Sequence, residues 1–238
     1  MRLDRLISNQ PQYSHRTARC LIACGRVSVN GVVLRDTQAV VDRFASVRID
    51  DLLLRAGQAS LYFMLHKPIG YLSATSDSTH PTVLDLFEPG LRAHLHIGGR
   101  LDRNSSGLLL LTNDGLWSRR LTEPRIKIPK VYHVTTAEPI TADAPALFAA
   151  GIHFAFEGLT TSPALLQSLG PCEARVTIYE GRYHQVKRMF HAVGGRVVSL
   201  HRERMGDIVL DPELAPGESR PLTGAEIRSV SPDIAKSG

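Results

Sequence analysis

The stretch Gly99-Arg100-Leu101-Asp102-Arg103-Asn104-Ser105-Ser106-Gly107-Leu108-Leu109-Leu110-Leu111-Thr112-Asn113-Asp114-Gly115 constrains the fold more than any other. Four consecutive leucines read as a buried strand. The Asn113-Asp114-Gly115 turn ends it. Asp102 therefore lies on a loop that feeds directly into a core strand, flanked by Arg100 and Arg103. A reactive acid is often presented in this way, on a loop held by a rigid scaffold. A surface aspartate paired with Arg100 or Arg103 would have the same local sequence, and the stretch alone leaves both readings open.

The 238 residues suffice for one large domain or two unequal ones. Charge is unevenly distributed. Residues 1–56 hold nine arginines, five aspartates and neither lysine nor glutamate, a net +4 of the chain's +5. A small basic unit on a near-neutral larger one suggests a polyanion-binding appendage. The absence of lysine before Lys67 favours phosphate recognition by guanidinium forks. Cys20, Cys24 and Cys172 are odd in number and irregular in spacing, which argues against a disulfide framework or a structural zinc site. No long uncharged apolar run suggests a membrane span, and Met1-Arg2-Leu3-Asp4-Arg5 lacks a signal-peptide core, so a cytoplasmic location is expected.

Along the chain, Leu3, Leu6 and Ile7 open a short helix, and Ser14 caps a second that stops at Gly25. Val27 to Val33 around Asn30-Gly31 signals a tight hairpin, and Val47 to Asp50 a further strand. Residues 51–60 are expected to be a linker. Leu61 to His66 reads as a buried strand. His94 and His96 alternate as on one strand face, but no third metal ligand stands out, and no metal is expected. Strands are expected at Val131–Thr135, Ala174–Tyr179, Val197–Leu200 and Ile208–Leu210. Helices are expected at Leu116–Leu121 and Asp143–Ala150, and after the capping box Thr223-Gly224-Ala225-Glu226. Pro212 to Pro221 reads as a turn-rich connection and residues from Ser231 as a frayed tail. Gly181 to Gly194 is expected to be one helix. Val186, Met189, Phe190 and Val193 form its core stripe, and His184, Lys187, Arg188 and His191 a basic stripe suited to an anion.

Leu3-Asp4-Arg5-Leu6-Ile7, Ser14-His15-Arg16 and Gly25-Arg26-Val27-Ser28-Val29-Asn30-Gly31 resemble the S-four-like RNA-binding module. The resemblance implies that Arg2, Arg5, Arg16, Arg19 and Arg26 form a basic face toward structured RNA. Further segments resemble the RsuA family of pseudouridine synthases. They are Tyr62 to Tyr71, the Gly99–Gly115 stretch, Lys130-Val131-Tyr132, Glu180-Gly181-Arg182-Tyr183-His184-Gln185-Val186-Lys187-Arg188-Met189 and His201-Arg202-Glu203-Arg204.

This resemblance implies an α+β fold in two domains. Residues 1–58 would form the S-four-like RNA-binding domain, and residues 59–238 a catalytic domain with a mixed, mainly antiparallel sheet flanked by helices. It implies isomerisation of a uridine in ribosomal RNA, most closely the small-subunit 16S RNA, the uridine-516 type of activity. It also implies a monomer that acts on free RNA or on a pre-ribosomal small-subunit particle. Asp102 would be the catalytic carboxylate, Lys187 its basic partner and Tyr132 the aromatic that stacks on the target base. Leu200 would be an apolar neighbour of the site, and Arg100 the residue that fills the gap left by the flipped base. Arg103, Arg182 and Arg188 would contact phosphates. The reaction is redox-neutral, so no cofactor is expected.

Three other readings remain. A non-catalytic ribosome-assembly factor would bind RNA with the same fold, but would not need an aspartate at position 102. A synthase acting on a 23S uridine is the alternative within the family, but the Tyr183-His184-Gln185-Val186-Lys187 version and the His201-Arg202-Glu203-Arg204 run look most like the small-subunit type. A two-carboxylate hydrolase would use Asp102 and Asp114, yet the turn explains Asp114 and the leucine strand carries it away from Asp102.

Overall fold

A computed structural model describes residues 1–230; the tail expected from Ser231 lies outside the described residues. The chain divides into two compact units, one ending at Ser60 and one beginning at Leu61. The first contains α1 (Leu3–Ser8), α2 (His15–Ala23), β1 (Val27–Val29), β2 (Val32–Val33), β3 (Val47–Ile49) and β4 (Leu52–Arg55). The Ser14 hydroxyl caps α2 by accepting from Thr17 N, and Gly25 ends it at a φ of 74°. Asn30 and Gly31 both have positive φ, as a tight primed turn between β1 and β2 requires. The four strands form an antiparallel sheet in the order β2-β1-β3-β4.

Much of the expected linker is therefore strand. Asp50, at a φ of 49°, turns β3 back into β4, and Gly57 packs so closely on Phe44 that a Cβ would lie 2.0 Å from its carbonyl oxygen. The core of this unit is Leu3, Leu6, Ile7, Ala18, Leu21, Ile22, Val27, Val47 and Ile49, with Val41 and Ala45.

The second unit contains β5 (Tyr62–Lys67), a 3₁₀ turn (Val83–Leu86), α3 (Pro89–Arg92), β6 (His96–Ile97), β7 (Ser106–Thr112) and α4 (Gly115–Thr122). Then come β8 (Lys130–Thr136), α5 (Ala144–Ala150), β9 (His153–Phe154), β10 (Leu159–Thr160), β11 (Leu165–Gly170) and β12 (Glu173–Ile178). It ends with α6 (Gln185–Ala192), β13 (Val197–Met205), β14 (Ile208–Val209), β15 (Ser219–Pro221) and α7 (Gly224–Ser229).

Nine of these strands make one sheet, ordered β11-β12-β8-β13-β7-β5-β15, with β14 on β13 and β6 on β7. Its one parallel pair is β13 with β7; the other pairs are antiparallel. The leucine run is β7, near the middle, with all four side chains fully buried. Leu109 and Leu111 enter the larger core with Phe148, Met189 and Phe190, whereas Leu108 and Leu110 meet Met64, Trp117 and Met205 on the other face. Burial on both faces explains why no alternation appears in this segment, and each leucine contributes about 2 kcal/mol of transfer free energy.

Several sequence expectations need correction. His94 lies in a turn before β6, so it shares no strand face with His96, whose Nε2 meets Ser118 Oγ at 2.8 Å. The charged run His201–Arg204 continues β13 rather than following it. Within Pro212–Pro221, Ser219–Pro221 pairs with β5 as β15. The helix expected from Gly181 starts only at Gln185, because His184 adopts the left-handed conformation at a φ of 49°.

Candidate active site

The carboxylate at position 102 is held by a loop whose carbonyls are almost all bonded. Arg100 O accepts from Arg202 Nη1 at 3.3 Å, and Leu101 O from Ser73 Oγ at 2.7 Å. Asp102 O accepts from Ser105 N at 3.0 Å, and Arg103 O from Gly70 N at 2.9 Å. Lys67, at the end of β5, reaches beneath the loop: its Nζ donates to Pro68 O at 2.9 Å, Ser105 O at 2.8 Å and Arg103 O at 3.4 Å. Burial pushes the Lys67 ammonium down to about 8, against the nearby Asp102 charge, which raises it. Such a loop cannot drift without breaking bonds at several points, which fixes the position of Asp102.

Two side chains meet the carboxylate. Lys187 Nζ, on the first turn of α6, lies 3.4 Å from Oδ2, and His184 Nε2 lies 3.5 Å from Oδ1. Neither Arg100 nor Arg103 pairs with it; Arg103 Nε donates instead to Gly70 O at 3.2 Å. The left-handed turn at His184 aims its imidazole at Asp102 and stacks it on exposed Tyr183, with ring centroids 3.9 Å apart and planes 17° apart. A non-glycine residue in that conformation is strained by about 1 kcal/mol or more and is common at functional sites.

Asp102 opens into a cavity of about 1040 Å³. Tyr132 and Leu200, each below a tenth exposed, form apolar parts of its wall, and Arg100, Arg103, Lys130, Arg182 and Arg202 add positive charge. Burial, with a smaller contribution from Arg202, pushes the Lys130 ammonium down to about 8. Arg182 leans on Glu180, with Nε to Oε2 at 3.2 Å. Glu180 accepts from Ser162 N and Gln185 Nε2 and so anchors the 180–185 turn. Arg188 is not among the cavity residues; it pairs with Glu157 and lies 3.9 Å above the Phe154 ring.

In the N-terminal unit, Arg5, Arg16 and Arg19 are exposed and have no ion pair among the described residues. Arg2 is bound to Asp4 and Arg26 to Asp50, at 2.6 and 2.5 Å.

Sequence reasoning missed Lys67, Ser105, His184 as a partner of Asp102, and Arg202. The signal for Arg202 was available: Leu200 points inward, so the alternation of a strand places Arg202 on the same face. A carboxylate held beside an ammonium, with an aromatic wall and cations around it, can attack or deprotonate a neutral sugar next to a flat ring.

Residues 61–192 match the family model described as RNA pseudouridylate synthase. Over 97% of this chain and 100% of the relative, the chain is 57% identical to ribosomal small subunit pseudouridine synthase A of Pseudomonas aeruginosa. It is 46% identical to the protein of that name from Escherichia coli strain K12, with the same coverage. A solved structure described as a pseudouridylate synthase superposes with a TM-score of 0.71 at 40% identity, covering 97% of this chain and 99% of that one.

Proposed function

The chain belongs to the RNA pseudouridylate synthase family, and we propose that it isomerises one uridine of small-subunit 16S ribosomal RNA, the uridine-516 type of activity, with Asp102 as the reactive carboxylate. The observation that supports this reading most is the meeting of Asp102 and Lys187, distant in sequence, at 3.4 Å, with Asp102 opening into a cavity walled by Tyr132 and Leu200. The names of the relatives support the small-subunit RNA as substrate.

Pseudouridine formation breaks the ribose C1′–N1 bond and makes a C1′–C5 bond within the same nucleotide. The target atoms are inaccessible in stacked RNA, so the uridine flips out into the cavity at a cost of a few kcal/mol. Arg103 and Arg182 offset that cost through phosphate contacts, and Arg100 occupies the space the base vacates. Tyr132 stacks on the base and Leu200 excludes water beside it. Lys187 pairs with Asp102 and aims it, ready to attack C1′ or to take a proton from the sugar. The exposed Arg5, Arg16 and Arg19 of the N-terminal unit give a basic face for structured RNA, whether free or in an assembling small-subunit particle.

The test is site-resolved pseudouridine mapping of ribosomal RNA in cells lacking the protein, complemented with wild type or Asp102→Asn. Loss of one 16S site, restored by wild type alone, is expected. Restoration by Asp102→Asn would overturn the catalytic role, and loss of a 23S site would overturn the substrate.

A further inference from the structure

Among the described residues, two buried side-chain polar atoms have no hydrogen-bond partner, Ser105 Oγ and Arg202 Nη2. Both residues line the Asp102 cavity. Buried donors in folded proteins are paired with few exceptions, and an exception beside a reactive group points to a ligand that completes it. Arg202 is 1% exposed and sits between Gly107 of β7 and Tyr132 of β8 in the strand register. Its Nε donates to Leu108 O at 2.8 Å and its Nη1 to Arg100 O. Two nitrogens thus lock the guanidinium plane and leave the third unused. The guanidinium carbon lies over the Tyr132 ring, 6.0 Å from its centroid, so the unused nitrogen belongs to the same wall of the cavity as the aromatic read as the base's stacking partner.

Uracil offers two carbonyl oxygens at its edge. When C1′–N1 breaks, the bonding electron pair leaves with the base, and the charge spreads over N1 and those oxygens. The C5 carbon then bonds to C1′, the C5 proton departs and N1 is protonated, so atoms and electrons balance within one nucleotide. We propose that Arg202 Nη2 and Ser105 Oγ form the carbonyl subsite for the uracil base, and that Arg202 stabilises the negative charge gathered there as the C1′–N1 bond breaks. This inference rests on the reading of the site given above. A permanently charged, pre-locked donor at a point where charge develops needs no reorganisation during the reaction.

The experiment uses the full chain, small-subunit particles reconstituted with 16S RNA, and uridine, 2-thiouridine or 4-thiouridine at the modified position. Wild type is compared with Ser105→Ala, Arg202→Lys and Arg202→Met. Ser105→Ala removes an unpaired hydroxyl, so it melts no lower than wild type, yet its kcat falls about tenfold. Arg202→Met lowers kcat roughly 100-fold with little change in KM, and Arg202→Lys falls between the two. Sulfur accepts hydrogen bonds weakly, so one of the two thio substitutions slows wild type but leaves the Arg202 variants at their own uridine rate. Full activity of Ser105→Ala and the Arg202 variants would overturn the proposal. So would a thio penalty identical in wild type and variants, which would leave Arg202 only its bracing of the Arg100 carbonyl. Should Arg202→Met fail to fold, Arg202→Lys and Ser105→Ala decide by the same readouts. A wild type that makes no pseudouridine in any particle would instead overturn the functional reading itself.

Discussion

Successive side chains of β13 line two different cavities. Leu200 and Arg202 face the cavity of Asp102, whereas His201 and Glu203 face a second one of about 730 Å³ together with His66, Arg175 and Asp211. Both are polar, and composition alone would not separate them. Pairing separates them. In the second cavity Arg175 holds Glu203 by a two-nitrogen fork, with Nε to Oε2 at 2.7 Å. His201 Nδ1 meets Ser106 Oγ at 2.9 Å, His66 Nδ1 donates to Leu214 O at 2.7 Å, and Asp211 accepts from Arg220 at 2.6 Å. In the first, a partly exposed carboxylate meets the Lys187 ammonium and the His184 ring at 3.4 and 3.5 Å, and two buried polar atoms stay unbonded. Polar groups that are left incomplete, rather than polar groups as such, mark the side prepared for a ligand.

The largest expected effect breaks the prepared side at its centre. Asp102→Asn lowers single-turnover pseudouridine formation by at least about 10³-fold, because the amide neither attacks C1′ nor accepts a proton. Asp114→Asn, by contrast, changes the rate by less than about threefold, because Asp114 caps α4 through Leu116 N and Trp117 N and asparagine caps nearly as well. A comparable loss in the two variants would revive a mechanism that uses both carboxylates.

Next in size is Lys187→Met, which removes the ammonium 3.4 Å from Asp102 Oδ2. A roughly 100-fold fall in kcat is expected, with a smaller change in KM for the RNA, since the pair acts on the reacting carboxylate rather than on RNA binding. A change confined to KM would move Lys187 from the chemistry to the RNA contact.

These residues also show what sequence reading could reach. The leucine strand was legible because a segment buried on both faces admits no polar residue, and the caps at Ser14 and Thr223 were legible because they act within one turn. β4 was not: Leu52 and Leu53 lie half-exposed on an edge strand, so they show no alternation, and the register comes from the turn at Asp50. β15 was not either, because three residues ending in proline are ordered by pairing with β5 rather than by any preference of their own. The Asp102–Lys187 pair emerged only through family resemblance, since no local pattern links residues so far apart. Arg202 was hidden by its charge, which reads as surface until Leu200 sets the phase of the strand.

A third effect, of intermediate size, concerns Lys67, which lies beneath the prepared side with an ammonium at about 8 rather than 10.5. Its folded-state value is below its unfolded one, so between the two the unfolded chain binds the extra proton and stability rises with pH. The unfolding free energy of wild type minus that of Lys67→Met should therefore grow by roughly 2 kcal/mol between about pH 7.5 and 9.5, measured in parallel urea titrations. A flat difference would mean that the three carbonyls around Nζ compensate its burial fully.

The smallest effect tests the completed side. Glu203→Gln breaks the fork with Arg175, but both side chains keep more than a quarter of their surface in water, at 29% and 43% exposure. Exposed pairs contribute about 0–1 kcal/mol, so the variant should unfold within about 1 kcal/mol of wild type. Its pseudouridine rate should stay within about twofold, because no Glu203 atom reaches the Asp102 cavity and a single strand separates the two faces rather than coupling them. The same should hold for Arg175→Met, and the two changes together should cost less than the sum of each alone, as expected for partners in one pair. A large loss of rate in either variant with stability unchanged would mean that β13 transmits strain from one face to the other, and the contrast between a completed and a prepared cavity would then describe one coupled site.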